Sequence, residues 1–361
     1  MKSKMNFKIT VLVLILFCTG IKSQSNRFYS DAFQNIDNML NNKQKYSFKE
    51  GVYSVENAYY QGKLDTVELN GKIRFLKNFC LTLLKNRQLN YSEKDENKVN
   101  RYAAIYSVMC EATPVIVNND TIKYKPFTYD FDDVFGHQEQ SNLFVSKLLD
   151  TQKGNCNSLP YLYKILAEEL GVEANLALAP NHIYIKHHIK SLGWYNTELT
   201  SGIFPQDSWL MASGFIHLDA IQNGVFMKAL NNRESLALLL IDLGNNYNKS
   251  YPDNDGRFPI KCAERAIQID PYLANALLLQ AETHKRLFQQ IMKVHNTKDI
   301  QSVLSDPKAK ELFDRMNKEY AHIHKIGYRS MPEGMYLDWL VSLKTERAKY
   351  EDTRLNKVPD S

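Results

Sequence analysis

Between Ser158 and Leu170 apolar side chains recur every three or four residues. Leu159, Leu162, Leu166 and Leu170 form the stripe, and Tyr163 and Ala167 widen it, so the spacing predicts an amphipathic helix. Asn155 or Asn157 can cap its start, Pro160 suits its first turn and Gly171 supplies a stop. After Gly171 the period shortens to two. Ala174 to Ala179 reads as a strand apolar on both faces, Pro180-Asn181 breaks it, and His182 to Lys186 alternates again. A third strand, Trp194 to Thr200, follows the loop His188 to Leu192, where His187 and His188 read as exposed loop residues. Upstream, the pattern from about Phe28 to Glu111 is helical. Ser47-Phe48-Lys49-Glu50 reads as a capping box ahead of Val52, Val55 and Tyr59, Thr66 can cap a helix to about Leu84, and a third helix covers about Lys98 to Glu111. A short strand (Pro114 to Val117), a turn at Asn118-Asn119-Asp120 and a helix from Gln138 to Leu149 lead to Cys156. From about Arg233 the chain is helical again and closes with amphipathic helices near Pro307 to Ile326 and Glu333 to Arg347.

Composition changes this picture mainly at the amino terminus. The 361 residues suffice for about two domains, with the apolar and charged fractions of a globular protein. Lys2, Lys4 and Lys8 precede an apolar run from Ile9 to Cys18, and Ser23 and Gln24 follow, which is the layout of a secretory signal peptide spanning residues 1–23. Phe17 is too bulky for the small residue a lipoprotein site needs before Cys18. The expected product is exported, periplasmic or extracellular, without stable membrane insertion after cleavage. Removing the leader with its four lysines lowers the formal charge from +5 to +1. A nearly neutral chain offers no electrostatic case for nucleic acid. Neither a paired-cysteine or paired-histidine metal motif nor a glycine-rich phosphate loop occurs, so no metal or cofactor is expected. The acids between Asp130 and Asp133 lack the glycine and distal glutamate of a calcium loop, and their aromatic neighbours suit a wall beside a cleft. Cys80 and Cys110 could pair after export, but Cys80 shares a stripe with Leu69, Ile73, Leu76 and Leu83, which favours a buried thiol.

Cys156 is the candidate for chemistry. At a helix start, free backbone N–H groups and the positive dipole end stabilise a thiolate. If the second and third strands form a hairpin centred on Lys190, His182 lies opposite Glu198 and Tyr184 opposite Asn196, so a carboxylate could orient an imidazole. A slip by one residue would turn Glu198 to the other face. Glu56, Asn57, Tyr59 and Tyr60 form a polar-aromatic cluster better suited to packing than to catalysis.

Gly154-Asn155-Cys156 opening a helix that ends Leu170-Gly171, a histidine opening a later strand, and Gly193-Trp194 leading to Glu198 together resemble the transglutaminase-like superfamily. The likeness covers about Ser141 to Ser201; Glu198 stands where the family usually has aspartate, and Tyr184 supplies its aromatic after the histidine. The resemblance implies an α+β fold in which the cysteine-bearing helix packs on a small antiparallel sheet. It implies Cys156 as nucleophile, His182 as base and then acid, and Glu198 as orienting group, with Gln138, Gln140 and Asn196 as further oxyanion or orienting candidates. Downstream, Leu240, Leu243, Gly244, Tyr247, Ala266 and Pro271 fall at tetratricopeptide-like positions. The expected organisation is a transglutaminase-like domain with a helical amino-terminal extension over residues 24–228, a tetratricopeptide-like helical region over 229–350 and a loose tail over 351–361. The expected function is a cysteine-dependent amide hydrolase or acyltransferase acting on a peptide or protein. The alternative is a silent domain that binds a protein or envelope component.

Overall fold

The computed structural model describes residues 27–355 except 88, 118 and 119, so the leader and the end of the tail lie outside the described residues. The helical amino-terminal pattern becomes α1 (residues 27–40), α2 (Phe48–Tyr59), α3 (Thr66–Asn86) and α4 (Glu96–Cys110). Ser47 caps α2 by accepting from Glu50 N, and Asp65 rather than Thr66 caps α3. Cys80 on α3 and Cys110 on α4 are free, buried thiols. A β-hairpin follows, β1 (Thr113–Val117) with β2 (Asp120–Tyr124). The two-residue strand β3 (Thr128–Tyr129) then pairs in parallel with β4 (Lys153–Gly154), which sets Tyr129 beside Gly154.

The single helix expected from Gln138 to Leu149 is split. A 3-10 turn over Gln140–Leu143 ends at Phe144, whose backbone is extended, and α5 (Val145–Thr151) restarts. The buried Glu56 carboxylate causes the restart: it accepts from Val145 N at 2.7 Å and Ser146 N at 3.0 Å, capping α5 from 89 residues away.

Helix α6 (Ser158–Glu169) carries the leucine stripe, and β5 (Asn175–Ala179), β6 (His182–Ile189) and β7 (Gly193–Thr197) form an antiparallel sheet in that order. Strand β6 runs three residues past the expected Lys186, so the predicted loop histidines lie in the sheet. His187 is fully buried, stacks on Tyr102 at 3.9 Å between ring centroids and meets the Tyr163 hydroxyl at 3.1 Å. Burial, aided by the Lys98 charge, pushes its pKa down to about 3. The β6–β7 register pairs Ile185 with Thr197 and Ile189 with Gly193, two residues removed from the predicted pairing of Tyr184 with Asn196.

Short helices α7 (Asp207–Ser213) and α8 (Leu218–Gln222) lead to α9 (Asn232–Ser250), which has a complete Asn231–Glu234 capping box. Helices α10 (Arg257–Ile269), α11 (Ala274–Val294), α12 (Ile300–Val303), α13 (Pro307–Lys325) and α14 (Glu333–Leu355) complete the chain. Gly244 allows α9 to approach its neighbours, since a Cβ there would lie 2.6 Å from Leu279. One hydrophobic core runs from Tyr29 through α6, the sheet and α9 to Leu343; a smaller cluster joins Phe288, Val303, Ala309 and Leu312. The class is therefore α+β and mostly helical. Among the described residues no helix is long and apolar enough to cross a membrane.

Candidate active site around Cys156

The residues before α6 explain their own order. A Cβ on Gly154 would meet Ser158 Oγ at 2.5 Å and Leu148 Cδ1 at 2.7 Å, so any larger residue would have to displace these two buried side chains. Asn155 is fully buried, and its Oδ1 accepts from Asn157 N at 2.9 Å and Ser158 N at 3.2 Å, satisfying two free amides of the first turn. Its Nδ2 donates to Val134 O at 3.2 Å, tying the aromatic-acidic segment to the helix start. Cys156, partly exposed, is thereby fixed at the amino end of α6, where its thiol donates to Asn181 O at 3.5 Å.

Asn181 sits in the tight turn between β5 and β6 with φ of +56°, a conformation asparagine tolerates. His182 follows as the first residue of β6, its side chain wholly buried. Its Nε2 lies 3.1 Å from Glu198 Oε1, and its Nδ1 lies 3.0 Å from the Tyr336 hydroxyl. In the observed register Glu198 is displaced by two positions from direct opposition. Because the displacement is even, its side chain keeps the same face and reaches the histidine diagonally. The β7 ladder ends at Thr197, and Glu198 instead bridges Ile203 across a tight turn. That turn returns the amides of Thr200 and Ser201 and the Ser201 hydroxyl to the carboxylate, each at 2.9 Å.

These contacts decide protonation. Burial alone would raise the Glu198 pKa, but His182 and the Thr200 contacts outweigh it and hold it low. Burial would lower that of His182, yet hydrogen bonding to Cys156 and Glu198 and their charges raise it to about 9. The Cys156 thiol shifts downward: burial opposes ionisation, and the bond and charge of His182, then the Tyr336 and Tyr129 phenols, overcome it. The pair is therefore biased toward thiolate and imidazolium. By contrast, burial pushes Cys80 up to about 12 and also raises Cys110 and Cys262.

Cys156, His182 and Glu198 are thus brought together, whereas the other candidates lie elsewhere. Gln138 is exposed, with its backbone N donating to Asp133. Gln140 donates to Asn246 on α9 at 2.8 Å. Asn196 donates to Pro205 O and Asp207 on the far side of the hairpin end. Asp133, one of the acids considered for calcium, is occupied by three backbone amides and Asn142.

Tyr129, Tyr336 and Trp339 were not foreseen. Tyr336 and Trp339 come from α14, more than 150 residues from His182, and the Trp339 ring meets the imidazole edge-on at 4.8 Å. Sequence offers no signal for such a contact beyond the apolar face of a terminal helix. Tyr129 belongs to the segment read as a cleft wall, and its buried phenol lies beside Cys156 and Tyr336.

No protein-family model matches the chain, and no curated protein does. Among solved structures it is similar to one of menin, described as revealing the binding site for the Mixed Lineage Leukemia (MLL) protein. The identity is 13%, 88% of each chain is covered and the TM-score is 0.31, a likeness too slight to bear on fold or function.

Proposed function

We propose that this chain is an exported protein of transglutaminase-like fold in which Cys156 attacks an amide carbonyl of a peptide or protein. The observation that carries the reading is a partly exposed thiol set against the buried His182–Glu198 pair, with the thiol pKa lowered and the imidazole pKa raised. The thiolate adds to the carbonyl carbon, and the imidazolium of His182 gives its proton to the departing amine. Glu198 keeps the ring oriented and stabilises its positive charge. The backbone N–H of Cys156 is one oxyanion donor, and the Tyr129 hydroxyl, beside the thiol, is a better second donor than the distant Gln138 or Gln140. Water or an amine then takes the acyl group. Helices α9 to α11, whose pattern is tetratricopeptide-like, belong in this reading to recognition of the protein partner.

One observation favours the silent, protein-binding reading: Tyr336 occupies the Nδ1 side of His182, where a leaving group would stand. Incubation with casein and dansylcadaverine separates the two. Release of ammonia or of new amino termini without dansyl incorporation marks a hydrolase, and dansyl incorporation marks transfer. Neither, beyond the background of Cys156→Ala, leaves the binding reading.

A further inference from the structure

A cavity of about 900 Å³ lies away from Cys156, between α4 and the outer edge of β7. Its size falls in the range of small-molecule sites. Asn100, Ala103, Ala104 and Ser107 line it from one face of α4, and their small side chains leave the space open. Beside them on α4 stands Tyr106, its ring 4.8 Å from that of Phe204 between centroids, and Tyr195 of β7 lies 6.2 Å from Phe204. At the mouth, Leu192 is 72% and Trp194 51% exposed.

The polar groups are what make this more than an apolar hollow. Asn196 is buried, and its Nδ2 donates to two acceptors, Pro205 O at 2.9 Å and Asp207 Oδ1 at 2.7 Å. Since both partners can only accept, the amide orientation is fixed, and Oδ1 is left without a donor. The buried Thr197 Oγ1 and Asn100 Oδ1, in the same lining, also lack partners. Leaving such atoms unsatisfied is costly, and a ligand donor would relieve it. Charge cancels across the lining: Lys186 Nζ lies 2.8 and 3.0 Å from the Asp207 carboxylate oxygens, and Arg87 and Glu111 contribute one charge of each sign.

We infer that this cavity binds a small, neutral, largely aromatic molecule that offers N–H or O–H donors to Asn196 and its neighbours. The inference is independent of any chemistry at Cys156.

N-phenyl-1-naphthylamine, an apolar diaryl amine with one N–H, is the probe. Titrated into the full chain, it should show saturable fluorescence enhancement with one site per chain and quench tryptophan emission, and the quenching should fall in Trp194→Phe. Ala103→Phe, which fills the cavity from α4, should weaken binding at least tenfold, and Ser107→Leu serves the same purpose should the first variant fail to fold. The N-methylated probe, which lacks the donor, should bind at least fivefold more weakly. Non-saturable binding, equal affinity in folded filling variants, or equal affinity of the methylated probe would overturn the inference.

Discussion

A cysteine sulfur beside a buried histidine ionises more readily when the imidazolium it creates is held in place, and here Glu198 holds it. Cys156 should therefore react with iodoacetamide at pH 6 at least tenfold faster than Cys80, Cys110 or Cys262, as read by mass spectrometry of timed samples. His182→Gln should erase that advantage. With the His182 pKa near 9, the imidazolium persists through pH 8 and is lost as pH rises through 9, so turnover that needs its proton should decline there. Glu198→Asp is the more discriminating change. Direct opposition would have let a shorter aspartate serve, but the diagonal placement makes the extra methylene of glutamate part of the reach. Glu198→Asp should thus lower Cys156 labelling at pH 6 by severalfold; wild-type labelling would remove any role for side-chain length. That Cys156, His182 and Glu198 come together is legible in the sequence because helix start, strand start and face parity are local or period-two properties. The register was misjudged because loop length alone does not say where the ladder ends, and the turn that recruits Thr200 and Ser201 ends it early.

At the scale of elements, α5 shows what periodicity omits. Its apolar spacing was legible, but its start depends on Glu56, a residue in α2 whose cluster with Tyr59 and Tyr60 reads as a packing corner. Both tyrosines do pack edge-on against Phe144, and the carboxylate beside them supplies the cap. Nothing within residues 138–151 announces that partner. Burial raises the Glu56 pKa from 4.5 to about 7, against the pull of its bonds to Ser146 and Val145. The folded state therefore binds this proton more tightly than the unfolded chain. The associated stability is fully present below about pH 4.5 and is lost as pH rises through 7, amounting to about 3 kcal/mol. Glu56→Gln keeps one acceptor and places an amide against the other N–H, so it should destabilise by roughly 1–3 kcal/mol at low pH. Its deficit relative to the wild type should shrink toward pH 8 in urea melts. A deficit that stays constant from pH 4 to 8 would mean that Glu56 does not titrate differently in the folded protein.

At the scale of the whole molecule, the end of the chain returns to its middle. Met331 O accepts from Asn181 Nδ2 at 2.9 Å, Tyr336 and Trp339 cover His182, and Trp339 Nε1 donates to Ser213 Oγ at 3.1 Å. Farther along, Arg347 Nη1 donates to Ser201 O at 2.7 Å, within the turn that holds Glu198. Helix α14 is thus fastened at both ends of the site. Its outward residues Leu337 and Val341 are exposed, so the helix is held by a single face and by these few bonds. Access to Cys156 should then depend on how firmly the far fastening holds. Gly202 faces that fastening with φ of +64°, and a Cβ there would lie 2.8 Å from Arg347 Nη1. Arg347→Ala and Gly202→Ala should therefore loosen the same end of α14 by different routes. A bulky polyethylene-glycol maleimide reports the opening and iodoacetamide reports the thiolate itself. Both variants should raise the maleimide rate at Cys156 at least fivefold relative to the iodoacetamide rate, with the melting transition otherwise cooperative. If the two reagents change in proportion, the substitutions have altered the sulfur and not its cover, and α14 does not control access.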